Sequence, residues 1–400
     1  MGDEEVTVAY DVGIIGGGIV GAAVAAELAG RGRRVVVVER DRVASGTSAR
    51  CEGNLLVSDK GPGPELEFAR LGNALWRAFA ASYREELGED FPSLEFEAKG
   101  GLVVATGERG AGALAEFAAR QRSVGVRADE LTTAQAKELE PWLTDRVHAA
   151  VWYPDDGQVQ PAIAAEALVA LARARGATVL ERCEVHAAIR EHGRLTGVRT
   201  ARGDVRVHDL VVAAGPWSAE VAARLGVGIP VRPRRGVVLV TAKMPQRIHH
   251  KVYDADYVGA VGSGSEGLMT SSVVESTQGG TVLIGSSREQ VGFDDRFRSA
   301  VLREIAAKAI GLFPFLADTA VIRSYSGFRP YMPDHLPIVG PDHRHPGLWY
   351  ATGHEGAGIG LSLPTGRLLA DLMEGNDTEV DASAFSLARP TLRESLKESA

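Results

Sequence analysis

The chain has 400 residues, 45% of them hydrophobic and 24% charged, with a formal net charge of −8 at pH 7. That length and apolar content suit two joined domains with full cores and exclude a disordered chain, and an acidic balance without a basic run argues against nucleic acid as a partner. Cys51 and Cys183 alone exclude a disulfide framework and fit a reducing cytoplasm, the opening MGDEEVTVAY lacks the apolar core of a signal peptide, and no apolar stretch reaches bilayer length, so no membrane contact is expected.

Residues 11–15 (DVGII) are a short apolar run that predicts a strand buried on both faces. Gly16, Gly18 and Gly21 follow in G-x-G-x-x-G spacing. The first permits a tight turn, the second lets backbone approach a pyrophosphate, and the third lets helix pack on strand. A helix is expected at about 19–31, its N-terminus offering N–H groups and partial positive charge to phosphates. Residues 35–38 (VVVV) predict the next strand. Glu39 closes it, where a carboxylate can accept both ribose hydroxyls and would repel a 2′-phosphate. The unit either grips FAD or NAD, between which it does not decide, or is a glycine-rich turn without a ligand.

Residues 65–87 read as a helix carrying Phe68, Trp76, Phe79 and Tyr83, and 94–106 as a hairpin around Lys99-Gly100-Gly101. Helices are expected at 111–124 and 132–140, and the loop YPDDGQVQP (153–161) leads into another at 161–175. Residues 177–214 give a strand, a short hairpin around Gly193 and Gly203, and DLVVAAG, an apolar strand suited to a central parallel position. Residues 231–290, strand-rich and broken by Gly and Ser, suggest the antiparallel sheet of a second domain. A helix at 297–310 precedes SYSGFRPYMPDHLPIVGP, then a strand, LWYATG (348–353), the turn HEGAGIG, and a helix to about 374. The chain thus alternates between domains: 1–90, 145–220 and 325–400 in the dinucleotide domain, 91–144 and 221–324 in the second.

The closing turn bears on the cofactor. Gly356, Ala357, Gly358, Ile359, Gly360 and Leu361 stand where a helix begins, presenting N–H groups and positive dipole to an anion or electron-rich atom. An NAD enzyme has no general need for a second such device at the far end of its chain. An FAD enzyme does, because reduced flavin carries negative charge near N1 and O2. The plainer reading is a glycine turn that caps a surface helix.

Four motifs together, GIIGGGIVGAAVAAEL, VERDRVASGTSARCEGNL, DLVVAAGPWS, and the pair GFRPYMPDHLPIVGP with GHEGAGIGLSLPTG, resemble the FAD-dependent D-amino acid oxidase superfamily over nearly the whole chain. The resemblance is to the branch of glycine oxidase, sarcosine oxidase and the opine-oxidase or cyanide-synthase flavin subunits. It implies an α/β fold in which a Rossmann-like FAD-binding domain of glutathione-reductase type is interleaved with a substrate domain on a mainly antiparallel sheet. It also implies non-covalent FAD and no metal. Ile19 and Val20 would lie along the pyrophosphate, Glu39 on the ribose, Arg40 beside the adenine, and Gly46, Thr47 and Ser48 at the phosphates. Glu52, Gly53 and Asn54 would face the flavin ring, Val185 the adenine, and Gly215 and Trp217 the turn under the cofactor.

By the same resemblance Arg329 pairs with a substrate carboxylate; the alternative is a structural salt bridge with Asp334. Tyr253, Tyr257 and Met269 fall where substrate-side groups occur, against the alternative of sheet packing, and His354 is either a catalytic group or a satisfied turn residue. Gly327 stands where sarcosine oxidases carry a flavin-tethering Cys, and Cys51 is a small residue near the ring. The implied reaction is oxidation of the C–N bond of an amino acid or N-substituted glycine, hydride passing from Cα to flavin N5. No lysine matches the one that activates oxygen in sarcosine oxidases. The acceptor is therefore O2, the chain working alone or as a homo-oligomer, or the redox centre of a heteromeric partner. A non-catalytic flavin module and an NAD-linked dehydrogenase are the remaining readings.

Overall fold

The computed structural model describes residues 10–255 and 264–399. Two large sheets hold most of the strands. In the first, five strands run parallel in the order Thr178–Leu180, Val35–Val38, Tyr10–Ile15, Gly203–Val212, Leu348–Thr352, and Ile338–Pro341 closes one edge antiparallel. Val35–Val38 is buried at every residue, as the unbroken valine run requires in a sheet covered on both faces. DLVVAAG takes the central place expected of it, Val12 pairing with Asp209 and Ile15 with Val212. A hairpin, Val185–Glu191 and Arg194–Thr200, extends antiparallel from the start of Gly203–Val212.

The second sheet runs Val321–Tyr331, Arg232–Thr241, Val282–Arg288, Met269–Ser276, Lys251–Asp254, Gly101–Ala105, Ala149–Tyr153, Asp129–Leu131. Its pairings are antiparallel except Lys251–Asp254 with Gly101–Ala105. Three expectations change here. Ala149–Tyr153 and Val321–Tyr331 belong to this sheet, although boundaries at 145 and 325 put 149–153 and the last residues of 321–331 with the first. No hairpin forms over 94–106: Gly101–Ala105 pairs outward with strands far along the chain. Gly100 turns with φ +73° against the Trp152 ring, which a Cβ would meet at 2.0 Å, so the local glycine pair serves a tertiary contact.

Helix Ile19–Gly30 packs between Pro161–Ala174 and Ser362–Glu374. The approach to the last is close: a Cβ on Gly366 would lie 2.8 Å from the Ala23 carbonyl oxygen. Arg31, at the C-terminal end of the first helix, clasps the same partner through Asp371 at 2.7 Å and Glu374 at 2.9 Å. Among the described residues no helix is long and apolar enough to cross a membrane.

Asp156 ties the loop after Tyr153 to the segment before Pro64–Leu87. Its Oδ1 accepts the N–H groups of Val57 at 2.8 Å and Ser58 at 3.2 Å. Burial nevertheless pushes the carboxyl up to about 7. A carboxyl whose pKa is higher folded than unfolded favours folding while protonated; that contribution is complete below about pH 4 and lost as pH rises through about 7. Asp156→Asn, which cannot ionise, should therefore gain on the wild type as pH rises, its relative Tm at pH 8 exceeding that at pH 5 by about 2 °C or more. A Tm difference independent of pH would refute the buried-carboxyl account.

Candidate active site

Both ends of the chain open onto one cleft of about 1870 Å³, its mouth included. Gly16, Gly18, Ile19 and Val20 line it from the first turn, and Gly356, Gly358 and Ile359 from the last. Gly16 has φ +112°, and a Cβ there would lie 2.5 Å from the Ala213 carbonyl, so the turn fits only glycine. Gly21 does not line the cleft. It packs against the turn, where a Cβ would lie 2.0 Å from the Gly16 carbonyl.

Glu39 stands at the end of Val35–Val38 and lines the cleft, its Oε2 accepting the Gly17 N–H at 2.7 Å and its Oε1 the Asp41 N–H at 2.8 Å. These bonds fix the carboxylate and leave each oxygen a lone pair. Arg40 lies 4.3 Å over the Trp217 ring, which stacks on Phe293. Gly46, Val185 and Gly215 also border the cleft. Ser48 Oγ accepts the Ile19 N–H at 2.9 Å, so its own proton remains available to a ligand. Thr47 differs: its hydroxyl donates to the Phe328 carbonyl at 2.7 Å, so it can offer a ligand only lone pairs.

The segment 52–54 is clamped in place. A Cβ on Gly53 would lie 1.8 Å from the Val159 carbonyl, and Asn54 pairs with Gln158 in a short two-stranded sheet. The loop GQVQP thus holds Glu52, Gly53 and Asn54 at the cleft wall. Glu52 Oε1 and Asn54 Oδ1 are buried and lack a hydrogen-bond partner among the described residues. Acceptors of this kind suit a ligand that brings N–H groups.

The closing helix begins at Ser362, later than its glycines suggested. Residues 358–361 are turns, with Leu361 N–H donating to the Ala357 carbonyl. Trp76 Nε1 holds this turn through the Ile359 carbonyl at 2.9 Å, and Gly72 lets helix Pro64–Leu87 approach the Gly360 carbonyl. Ala357, Gly360 and Leu361 face a small cavity behind the cleft, with Lys60 and Ala69.

On the substrate side, Arg329 lines the cleft, its Nη1 donating to the Ser287 carbonyl at 2.9 Å. The alternative partner Asp334 is taken by Arg389, at 2.7 Å. Tyr253, 1% exposed, and Met269 lie in the sheet and do not line the cleft. Tyr257 lies outside the described residues. His354 borders the cleft, but burial pushes its pKa down to about 3, so it is neutral. Thr365 gives its proton to the Leu361 carbonyl at 2.7 Å, so His354 Nε2, 2.9 Å away, is assigned as the donor to Thr365 Oγ1. Cys51 borders the cleft with its thiol directed at the Ser48 carbonyl; burial pushes it up to about 12, so it is no nucleophile. Gly327 lies under Arg50, whose carbonyl a Cβ would meet at 2.9 Å. Glu355, Glu220 and Arg224 also line the cleft. Sequence reasoning did not single them out, and for Glu355 the signal was its place inside HEGAGIG.

A parallel sheet whose two glycine turns meet in one cleft defines a Rossmann-like dinucleotide-binding protein. The model of the DAO family, FAD dependent oxidoreductase, matches residues 11–372. The chain belongs to this family of FAD-dependent oxidoreductases, and FAD is its cofactor. It is 33% identical to a glycine oxidase of Geobacillus kaustophilus over 95% of this chain and 97% of the relative. It is 28% identical to hydrogen cyanide synthase subunit HcnC of Pseudomonas aeruginosa over 95% and 96%. The crystal structure of glycine oxidase from Geobacillus kaustophilus superposes with a TM-score of 0.86 at 31% identity, covering 95% of this chain and 99% of that one.

The residues present fit the cofactor: a glycine cradle at Gly16, a Ser48 proton and the orphaned Glu52 and Asn54 acceptors border the same cleft. Gly18 offers a clean test. Its φ is −77°, and an added Cβ would meet only Ser48 Oγ, at 3.2 Å. Gly18→Val should thus leave the apoprotein folded but raise the Kd for FAD by about 100-fold or more, read by flavin fluorescence. Wild-type FAD affinity in that variant would remove the first turn from the cofactor site.

Proposed function

We propose that the chain oxidises the C–N bond of an amino acid or N-substituted glycine, releasing glyoxylate or another 2-oxo acid and an amine. The observation that carries this reading is the Arg329 guanidinium in the cleft. Its Nη1 is held by the Ser287 carbonyl. Gly236, on the neighbouring strand, leaves it room, since a Cβ there would lie 2.2 Å from that nitrogen. A planar guanidinium pairs bidentately with a carboxylate, which fixes the α-carbon of the substrate. Bound FAD supplies a two-electron acceptor for the hydride on that carbon, and water hydrolyses the resulting imine. Neutral His354 cannot protonate the amine, so the lone pair that expels the hydride stays available. The likeness to glycine oxidase supports the same reaction class, with a substrate of glycine or small N-alkylglycine type.

In this reading O2 is the acceptor, and the chain acts in the cytoplasm, alone or as a homo-oligomer. The likeness to a hydrogen cyanide synthase subunit motivates a second reading, in which a partner subunit takes the electrons. Peroxide formed by the purified chain with an amine substrate decides for the first. Arg329→Ala should lower kcat/KM for carboxylate-bearing amines by about 1000-fold, followed as anaerobic loss of oxidised-flavin absorbance. An unchanged rate in that variant, or no bleaching of the wild type by any amine, would overturn the proposal.

A further inference from the structure

Strands Arg232–Thr241 and Val321–Tyr331 pair in a register that sets Arg234 directly opposite Arg329. Arg234 shares a sheet face with Gly236 and Val238, both of which line the cleft. It is 1% exposed, and none of its Nε, Nη1 and Nη2 atoms has a hydrogen-bond partner among the described residues. Its nearest carboxylate there is Glu355 of the cleft wall, whose Oε2 stands 3.8 Å from Nη1, beyond hydrogen-bond reach. The Tyr331 ring lies 5.4 Å from its guanidinium carbon. Arg235, the next residue, points to the opposite face and is amply partnered by Glu289 at 2.6 Å and the carbonyls of Asp294 and Arg296 at 2.9 Å. Burial pulls the Arg234 pKa down; the Glu355 carboxylate opposes this, and the like charge of Arg288 adds to the lowering.

A buried guanidinium with three unmet nitrogens is costly unless an anion completes it. Directly opposed residues of paired strands have Cβ atoms about 5 Å apart, so Arg329 and Arg234 form two cationic positions at fixed separation. One carboxylate is served bidentately by Arg329 alone. We infer that Arg234 receives a second carboxylate, carried on the N-substituent, so that the substrate class is the iminodicarboxylates, secondary amines with a carboxylate on each side of the nitrogen. The inference rests on the amine-oxidation reading and narrows its substrate.

The test uses the purified holoenzyme and pairs of compounds that differ only in the second carboxylate. N-(carboxymethyl)glycine is compared with N-methylglycine by anaerobic flavin bleaching, and thiodiacetate with (methylthio)acetate, which carry no amine to oxidise, by calorimetry. The dicarboxylate should win each pair by about 100-fold, in kcat/KM and in Kd. Arg234→Gln should bring both ratios to about one, and Arg234→Lys, which keeps a point charge, to about ten. Should the Gln variant fail to retain flavin, the Lys variant carries the comparison. Equal treatment of the two members of each pair by the wild type, or an equal loss for both in the variants, overturns the second subsite. Absence of bleaching by every amine, with thiodiacetate still preferred, would instead sink the oxidation reading and leave the subsite standing.

Discussion

The molecule depends on the close approach of two helices from opposite ends of the chain. Ile19–Gly30 and Ser362–Glu374 can touch backbone to backbone because position 366 has no Cβ and the facing helix is rich in alanine. Arg31 then locks the pair by bonds to Asp371, 340 residues away. Closing a loop of that length costs about 5 kcal/mol in chain entropy, and the cost grows only logarithmically with length. It is thus a sum that one buried helix interface can offset. What the contact secures is position. Each helix follows a glycine turn, so docking the helices brings both turns to one cleft.

That arrangement explains which parts of the architecture could be read from sequence. The strand–turn–helix–strand at 11–38 falls within about one residue of Tyr10–Ile15, Ile19–Gly30 and Val35–Val38, because its apolar periods and its glycines are local requirements. DLVVAAG was also legible, since a strand without polar alternation must be covered on both faces. Sheet membership was not. Gly101–Ala105 and Ala149–Tyr153 are as apolar as the strands of the first sheet; they pair with each other, and Gly101–Ala105 joins the rest of its sheet through Lys251–Asp254, which no local pattern announces. The Lys99-Gly100-Gly101 sequence has hairpin chemistry, yet Gly100 is glycine because an indole ring sits where its Cβ would be.

The site divides along the same line. Positions where the backbone demands glycine, Gly16 with φ +112° and Gly53 with φ +81°, announce themselves as glycines in the sequence. Side chains proposed to meet substrate do not. Tyr253 and Met269 have suitable chemistry but lie inside the sheet, and only the observed register decides that. In RPRRG, residues 232–236, the two central arginines look equivalent. One faces a network of carbonyls and Glu289, the other shares the face of Gly236 and Val238 and makes no hydrogen bond among the described residues, because consecutive residues of a strand point to opposite faces.

Placing the cations on paired strands also has a consequence for selectivity. Arg232–Thr241 and Val321–Tyr331 stay in register for most of their length, so the Arg234–Arg329 spacing is set by the ladder and not by a mobile loop. A hydrophobic pocket distinguishes ligands by volume and gains little from each added methylene. Two fixed guanidiniums distinguish them by the separation of their charges. A ligand that satisfies Arg329 alone leaves Arg234 buried without a hydrogen-bond partner among the described residues, a cost felt in binding and in the approach to the transition state alike. Discrimination of this kind needs no closing lid, because the sheet carries the geometry before any ligand arrives.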